Sequence, residues 1–493
     1  MSTERGQDRP GLVLLTTHWV SRLGLILVIT ALSTWLFFLP ASRANHENPY
    51  AGMIVYLILP AIFFAGLGCI ALGIVLGRRR IRERLDAGTV SVETSRRRLI
   101  VFLMLTLGAN LLIGTQATYR AIHYMETPQF CGATCHSEKP QFIAHKDSFH
   151  ASVACTECHV APGQKGWIES KMNGMKQLWA EVTDTFPKPP TPGLVSGHLV
   201  PSNVTCERCH SADKMVGSRL VVIPSYASDE ANTPSYTVLM MLVGGSRMNG
   251  IHYAHGAGGV EVRYAASDAK RETIPWVEWR DTKTGETRTY LAAGSTAEQT
   301  ANLEKHTMQC VDCHNRATHE FYPADRALNR ALALGGIPAT LPFIKKQALE
   351  AVKAGYASHE EAARKIPAAI TAYYTQAYPQ LAGTRRADIE SAGKGILAVY
   401  ERNVYPELKV TWDSYPTNLG HKSSPGCFRC HDRKHKTADK SHTISKDCGI
   451  CHNVLAEDEA APEILKTLGV WDQIAAMGAA DAAGMPRQEQ SPR

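Results

Sequence analysis

The chain lacks a strong excess of charge of either sign. Its 493 residues include 53 lysines and arginines and 46 aspartates and glutamates, which gives a formal net charge of +7. Much of this small excess lies in one segment, GRRRIRERLDAGTVSVETSRRR, so the charge balance does not indicate a nucleic-acid partner. Aromatic residues make up only 8% of the chain, which fits a core that is filled partly by groups other than side chains.

Cysteine is almost absent outside short motifs, since only Cys69 of the 13 cysteines stands alone. Five pairs have the spacing Cys-x-x-Cys-His, and a sixth, in FCGATCHSEKP, has one extra residue between its cysteines. Neither a disulfide framework nor a zinc ribbon needs a histidine after every second cysteine. The six motifs are Cys131/Cys135/His136, Cys155/Cys158/His159, Cys206/Cys209/His210, Cys310/Cys313/His314, Cys427/Cys430/His431 and Cys448/Cys451/His452.

This motif is typical of c-type haem attachment. Two thiols bond one edge of the porphyrin, and the next residue presents an imidazole to the iron. On a helical turn, residues i and i+3 share a face and residue i+4 lies beside them. Zinc sites and redox dithiols are the alternatives, and five strict copies disfavour both. Because Cys131 and Cys135 at i and i+4 also share a helix face, the sequence predicts six c-type haems.

Charge is missing from three apolar runs at residues 23–39, 54–76 and 99–118. Each run approaches the length of a bilayer span; the alternatives are a buried helix hairpin and, for the first run, a signal peptide. The arginine-rich segment lies between the second and third runs, so the positive-inside rule places it in the cytoplasm and everything after Tyr119 in the periplasm. Haem attachment outside the cytoplasm agrees with this orientation. The predicted location is therefore the bacterial inner membrane.

The predicted fold has three N-terminal transmembrane helices, then a mainly α-helical and irregular haem domain with a β-rich insertion. RLVVIPSY, SYTVLMMLV and VEVRYAAS are typical of strands, and PWVEWRDTKTGETRTYLA is typical of a hairpin. The predicted division is 1–120, the anchor with a cytoplasmic N-terminus; 121–210, haems one to three; 211–305, the β-rich insertion; 306–460, haem four, a helical segment and haems five and six; and 461–493, a C-terminal tail.

Six irons need six further axial ligands if all are six-coordinate, and histidines outside the motifs are the candidates. An isolated histidine is usually a surface or core residue, so short spacing from a motif is the main criterion. GIHYAHGAG adds two candidates because its glycines let backbone approach a ring closely. Bis-histidine ligation leaves no open site and suits electron transfer. The candidates are His150, His252, His255, His306, His319, His421, His435 and His442.

This arrangement resembles the NapC/NirT family of membrane-anchored quinol dehydrogenases. The resemblance covers residues 119–319 and rests on an anchor followed by FCGATCHSEKP, SFHASVACTECHVAPG, SKMNGMKQLW and HTMQCVDCHNRATH. Three spans, the insertion and two additional haems resemble a subgroup of larger inner-membrane cytochromes in metal-reducing bacteria. The resemblance implies a respiratory protein that oxidises menaquinol at its first haem. Electrons then pass along the haems to a periplasmic cytochrome or reductase.

The resemblance also implies a quinol site. The family's lysine near the quinol falls on Lys171, although a solvated charge on an amphipathic helix is the alternative, and the acidic residue that often accompanies it has no match. Glu138 stands where short family members have a methionine iron ligand. Either the first iron takes another ligand or one face stays open. Glu138 and Lys139 are then candidate polar groups near the quinol; a solvent-facing pair before Pro140 is the alternative.

Two other functions stay open at this point. A relay subunit of a larger respiratory complex would receive its electrons from a protein instead of a quinol. A terminal reductase would need a haem with an open iron, and the absence of a Cys-x-x-Cys-Lys motif argues against a nitrite-reductase-like centre.

Overall fold

The structure is a computed structural model that describes residues 18–44, 58–87, 92–116, 119–120, 124, 127–134, 136–192, 199–211, 214–245 and 249–474. The chain divides into two compact units, residues 1–134 with 154–182 and residues 135–153 with 183–493. The helices in chain order are α1 (Trp19–Ala44), α2 (Leu59–Asp86), α3 (Val92–Ala109), α4 (Pro128–Thr134), α5 (Lys139–Lys146), α6 (Cys155–His159), α7 (Gly163–Val182), α8 (Ala297–Ala301), α9 (Cys310–Cys313), α10 (Ala324–Ala333), α11 (Ile344–Lys353), α12 (His359–Ala377), α13 (Pro379–Thr384), α14 (Arg386–Asn403) and α15 (Glu463–Thr467). The strands are β1 (Arg219–Tyr226), β2 (Pro234–Met241), β3 (Val260–Ala265), β4 (Trp276–Asp281), β5 (Thr287–Leu291), β6 (Lys305–Thr307) and β7 (His452–Glu459).

In the first unit, α1 packs against α2 and α3. Small residues make the crossing of α1 and α2 possible. A side chain at Gly24 would meet the carbonyl oxygen of Gly66 at 2.6 Å, and one at Gly66 would meet that of Gly24 at 2.9 Å. Ser21 Oγ donates a hydrogen bond to the carbonyl of Ile70 at 3.4 Å. Close approach at small residues is the way in which helices pack inside a bilayer.

One described helical stretch, Leu59–Arg80, is long and apolar enough to cross a membrane, with 22 residues and a mean hydropathy of 2.4. Trp19–Trp35 is apolar but shorter. The three predicted runs coincide with α1, with α2, and with the end of α3 together with the π-helical turn Asn110–Gly114. Length and composition therefore support the second span, and the set of three stays a prediction.

In the second unit, the predicted β-rich segment contributes to two antiparallel sheets. Their strand orders are β1-β2-β7 and β5-β4-β3-β6. The predicted strands and hairpin are confirmed, and Gly285 in the hairpin turn has φ 76°, a conformation that glycine adopts without strain. Residues 211–305 do not form either sheet alone. In the second sheet, β6 extends to Thr307, and in the first sheet, β7 comes from residues far beyond the segment. β7 begins at His452, opposite Met241 of β2, so the sheet positions the sixth motif.

The largest side-chain core lies in α10 to α14, within the stretch predicted to be helical between the fourth and fifth motifs. Its fully buried members include Leu328, Ile344, Ile366, Tyr374 and Ile396. Burying one such aliphatic side chain contributes about 1.5–3 kcal/mol. This part of the chain therefore folds around its own side chains, and α12 packs along α14.

Part of the predicted C-terminal tail is folded. Leu465 of α15 is buried with Val238 and Ala456 of the first sheet, and Val470 and Trp471 pack against them. The tail therefore covers one face of the sheet at least to residue 474. Residues 475–493 lie outside the described residues.

Lys345 is a buried charge within the helical core, with 1% of its side chain exposed. Its ammonium lies 2.8 Å from Asp325 Oδ1 and 2.5 Å from Asn329 Oδ1. We expect Asp325→Ala to cost about 3 kcal/mol, because it leaves the buried ammonium without a counter-charge. Lys345→Met keeps the aliphatic stem and should cost about 1 kcal/mol. Hydrogen exchange of α10 and α11 in the full-length protein measures both, and a greater loss of protection in Lys345→Met would contradict the expectation.

Candidate haem sites

The motifs fold as single helical turns. Motifs two and four are α6 and α9, and the other three strict motifs contain the 3₁₀ turns Cys206–Arg208, Gly426–Arg429 and Cys448–Ile450. In motifs three, four and five, the histidine N–H donates to the carbonyl of the first cysteine, at 2.8, 2.7 and 3.0 Å. One turn thus separates the first thiol from the imidazole, as haem attachment requires.

The first motif is described only in part. Cys131 lies in α4, Cys135 lies outside the described residues, and the backbone of His136 begins a 3₁₀ turn, His136–Glu138, that leads directly into α5. Nothing is described of the His136 side chain. Its role as a haem ligand therefore stays a prediction.

The second cysteines of motifs two and three lie at the protein surface. Cys158 and Cys209 are both exposed. The corresponding cysteines of the last three motifs are partly buried, namely Cys313, Cys430 and Cys451. A thioether requires only that the sulfur reach the ring edge, and the helical turn supplies that geometry. The thioether roles of Cys158 and Cys209 therefore stay predictions that rest on the motif spacing.

Neighbouring motifs approach each other through their first cysteines. In the first unit, a hydrogen bond that the Cys155 thiol donates to Cys131, together with burial, raises the pKa of Cys155. In the second unit, the hydrogen bond between Cys206 and Cys310 lowers the pKa of Cys206 to about 5 and raises the pKa of Cys310. The first thiols of motifs one and two, and those of motifs three and four, are therefore in contact.

Further contacts in the second unit connect motifs three to six. The N–H of Ser202, just before motif three, donates to Oε1 of Gln309, just before motif four, at 2.9 Å. The thiol of Cys427 lies close enough to Cys313 and to Cys451 to help raise the pKa of each thiol, in both cases after the larger effect of burial. Motifs three to six are therefore neighbours in the order in which they occur in the sequence.

Four motif histidines each face a histidine from outside the motifs. Two imidazoles that each gave one nitrogen to the same metal ion at about 2.0–2.1 Å, the range for zinc, would have ring centroids roughly 6 Å apart. The pairs and their centroid separations are His150 and His210, 5.9 Å; His252 and His314, 6.2 Å; His255 and His431, 5.8 Å; and His421 and His452, 6.2 Å. The donor set and its spacing fit haem iron with two histidine ligands.

Nδ1 of several of these rings is hydrogen-bonded to a backbone carbonyl oxygen. Because a carbonyl only accepts, Nδ1 carries the proton and Nε2 keeps its lone pair, the form in which histidine binds metals. Burial lowers the pKa of His255 and of His314 and favours this neutral form. The Nδ1 to oxygen distances are 3.3 Å from His150 to Ala317, 3.1 Å from His252 to Val243, 2.7 Å from His255 to Ile251, and 2.7 Å from His431 to Ser445.

A single turn of the insertion places two of these histidines. His252 precedes the π-helical turn Tyr253–Ala257 and His255 lies within it. Gly256 has φ 156°, a conformation that favours glycine. Residues three apart on a helical turn point in neighbouring directions, so one short segment faces motifs four and five at once.

Asp312 joins the fourth motif to the second sheet. It is 3% exposed, and its Oδ1 accepts hydrogen bonds from Tyr264 Oη at 2.5 Å and from Arg271 Nη1 at 3.0 Å. Its Oδ2 accepts from the N–H of Gln309 at 2.7 Å and caps α9. Burial and the adjacent carboxylate raise the pKa of Tyr264. The network attaches motif four to β3.

Three of the sequence candidates have other surroundings. His306 packs on the ring of Tyr264, with centroids 5.6 Å apart. Both ring nitrogens of buried His435 face protein acceptors, Asp432 Oδ1 at 3.0 Å and the Ile274 carbonyl at 2.7 Å. The exposed His442 has its Nδ1 2.9 Å from the hydroxyl of the preceding residue. None of these three belongs to the four facing histidine pairs of the described residues.

His319 directs Nδ1–H to the carbonyl of Gln141 at 3.0 Å. Its ring lies 6.5 Å from that of His145, centroid to centroid. The sequence analysis did not select His145, although it lies on the helix that directly follows the first motif. It was not selected because the criterion was short spacing along the sequence from a motif.

The quinol-site candidates lie on three different elements. Lys171 belongs to α7, but its side chain lies outside the described residues. Glu138 is half-buried near Tyr415, whose pKa is raised to about 12 by burial, while the Glu138 charge contributes a smaller rise. Lys139 is exposed, and its charge acts on the carboxylate of Glu360. Their roles at a quinol stay predictions.

Comparison with known proteins gives two matches. The sequence profile of the NapC/NirT cytochrome c family, N-terminal region, matches residues 93–191. Cytochrome c-type protein ImcH of Geobacter sulfurreducens is 34% identical over 459 residues, which cover 90% of this chain and 89% of the relative. No solved structure matches the chain.

Proposed function

Because this chain belongs to the NapC/NirT family of c-type cytochromes, we propose that it oxidises menaquinol in the bacterial inner membrane and delivers the electrons to periplasmic acceptors. A c-type cytochrome holds haem covalently, and bound haem supplies one-electron redox chemistry at its iron. We further propose that the six motifs hold six haems. The cysteines would form the thioethers, and the histidine that ends each motif would be the proximal ligand.

The four facing histidine pairs carry this proposal. Two imidazoles on one iron leave no coordination position for a substrate, which favours electron transfer over terminal reduction. We assign His150, His252, His255 and His421 as the distal ligands of motifs three, four, five and six. The hydrogen bonds of Nδ1 in His150, His252 and His255 keep each ring oriented with its lone pair available.

The neighbour contacts support a linear order of redox centres. Motif three contacts motif four, and motif five lies beside both four and six. We propose that electrons enter at the first motif, which follows the apolar helices directly in the sequence, and leave from the last motifs. A periplasmic cytochrome or reductase would be the acceptor.

Quinol oxidation also needs groups that take up protons, because menaquinol releases two protons with its two electrons. Polar side chains near the first motif are the candidates for this role. Glu138 is half-buried on the turn that follows His136, whereas Lys139 is exposed at the start of α5. We propose that Glu138 accepts a proton and that Lys171 binds the quinol oxygen.

We expect a menaquinol analogue to reduce the full-length protein rapidly in proteoliposomes, as followed by stopped-flow haem spectroscopy. Lys171→Met should slow this reduction by about tenfold, equal to roughly 1.4 kcal/mol of activation free energy. Lys176→Met is the matched control, since Lys176 is an exposed lysine of the same helix. Equal rates in the two variants would remove Lys171 from the site. No reduction of the unaltered protein by quinol, with rapid reduction by a partner protein, would favour the relay function.

A further inference from the structure

The segment between the last two motifs, residues 432–446, is a basic loop at the protein surface. It contains five lysines and arginines and two aspartates. Lys422, just before motif five, is a further exposed cation. Because the formal net charge of the whole chain is only +7, the loop is a local excess of positive charge. Its five cations are all exposed, and they are Arg433, Lys434, Lys436, Lys440 and Lys446.

Hydrogen bonds fix the basic loop to motif five and to the second sheet. His431 Nδ1 donates to the carbonyl of Ser445 at 2.7 Å, and the N–H of Ile444 donates to the carbonyl of His435 at 3.0 Å. Lys436 and Leu291 of β5 exchange backbone hydrogen bonds at 2.9 and 3.0 Å. The loop backbone is therefore held in place, and its cations form a defined part of the surface.

The two aspartates of the basic loop bond to groups of the loop itself. Asp432 has 25% of its side chain exposed, and its Oδ1 lies 3.0 Å from Nδ1 of the buried His435. Asp439 accepts hydrogen bonds from the hydroxyls of Thr437 and Ser441 at 2.5 and 2.6 Å. Five exposed cations thus outnumber two carboxylates that already have partners within the loop.

Beside the basic loop, motifs five and six reach the surface. Their first cysteines, Cys427 and Cys448, are exposed, whereas the first cysteines of motifs one to four are partly buried. Two apolar side chains near them are also exposed, Leu419 at 51% and Ile450, between the cysteines of motif six, at 43%. An apolar centre with a charged rim is the usual anatomy of a protein interface.

Ring contacts join this apolar centre to the cations. The ring of Phe428, between the cysteines of motif five, stacks on that of His421 with centroids 4.2 Å apart. Nζ of Lys446 lies 4.2 Å from the centroid of Phe428. His421 in turn faces His452 of motif six. The positive charge therefore lies beside both motifs.

The other motifs with an exposed cysteine do not have this charge. Cys158 and Cys209 are exposed, but motif two contains Glu157, and in motif three Glu207 offsets Arg208. Motifs five and six have no carboxylate between their cysteines. An acidic protein is therefore attracted most strongly at motifs five and six.

We infer that the basic loop, Lys422 and the exposed edges of motifs five and six form the docking surface for an acidic redox protein. The inference rests on the proposed delivery of electrons to a periplasmic acceptor, and it adds the chemistry of that acceptor, which is a ring of carboxylates around its redox group. In each transfer one haem iron of the chain is oxidised from Fe(II) to Fe(III), and the oxidised partner gains that electron. Opposite charges accelerate the encounter and orient the two proteins.

The test uses an acidic plastocyanin and the same protein with its surface carboxylates converted to amides. The copper of both probes absorbs outside the haem bands. The full-length, haem-loaded protein is reduced with dithionite and mixed with excess oxidised probe in a stopped-flow spectrometer. We expect the acidic probe to react about tenfold faster at low ionic strength, and salt should remove the difference. Equal rates, or a faster reaction of the amidated probe, would overturn the inference.

A charge-reversal variant of the basic loop locates the surface. Lys434→Glu/Lys436→Glu/Lys440→Glu should slow the reaction with acidic plastocyanin about tenfold at low ionic strength and leave the haem spectra unchanged. The matched control is Lys346→Glu/Lys353→Glu/Lys394→Glu, which changes the net charge equally at exposed lysines of α11 and α14. If the loop variant does not accumulate, the corresponding three glutamines replace it. A loop variant that reacts as fast as the control would overturn the inference.

Quinol takes no part in these reactions. Reduction by quinol in proteoliposomes tests the proposed quinol oxidation separately. A loop variant that quinol reduces normally, but that plastocyanin oxidises as fast as the control, would overturn the docking surface alone.

Discussion

The double substitution His252→Ala/His255→Ala is expected to convert two haems from low-spin to high-spin while every haem stays covalently attached. The thioethers come from cysteines, which these substitutions do not touch. The distal imidazoles facing His314 and His431 come from the single turn Tyr253–Ala257 and the residue before it. Magnetic circular dichroism of the ferric protein counts the high-spin haems.

The same variant should slow the transfer of electrons from quinol to an external acceptor by about tenfold or more, roughly 1.4 kcal/mol of activation free energy or above. An iron that loses one imidazole changes both its potential and its geometry on reduction. His306→Ala/His442→Ala is the matched control, since neither histidine belongs to one of the four facing pairs seen among the described residues. A parent-like spectrum in the first variant, or new high-spin haem in the control, would contradict the assigned ligands.

The second large effect is expected at Asp312. Asp312→Ala leaves Arg271 without its carboxylate, and Tyr264 and the N–H of Gln309 lose their acceptor. Breaking a buried ion pair by removing one partner costs about 3–5 kcal/mol. Loss of hydrogen-exchange protection in β3 and in residues 305–314 of the full-length protein measures it.

The variant Asp312→Asn distinguishes the effect of the negative charge from the effect of the hydrogen bonds. The amide oxygen can still accept from Tyr264 or Gln309, so we expect a smaller loss of protection than in Asp312→Ala. The removal of a negative charge beside motif four should also raise one midpoint potential in both variants. Equal and negligible effects of both substitutions would show that the network does not hold the motif.

Local structure within a single turn of the chain was predictable from the sequence. The Cys-x-x-Cys-His spacing places two thiols and an imidazole together by local geometry alone, and the structure confirms the helical turns of the five strict motifs. The hairpin around Gly285 was predictable for the same reason. In each case the interacting groups are a few residues apart, so the chain itself limits the alternatives.

The surroundings of the motifs were predictable only in part. His252 and His255 were selected because glycines surround them, but nothing local indicates that the first faces motif four and the second faces motif five. His306 and His435 have equally short spacings from a motif, yet they pack on Tyr264 and bond to Asp432. His145 was not selected because the criterion was short spacing from a motif, and its burial became visible only in the folded chain.

The exposure of the motif cysteines was also not predictable from the motif spacing. Spacing places Cys158 and Cys209 in the same local geometry as Cys313 and Cys430, yet the first two are exposed and the last two are partly buried. Burial raises the pKa of Cys313 to about 11 and that of Cys430 to about 12. The difference arises from which distant segments pack over each turn, and this information is absent from the motif itself.

Local sequence was enough to predict the haem motifs and the apolar helices and to identify the family. Each depends on residue type and spacing over one turn or one helix. Long-range packing was needed to show that β7 from the far end of the chain joins β2, which histidines face each other, and where buried atoms are left unpaired. Loop closure between distant segments costs little more for one partner than for another, so packing of the whole unit selects among them.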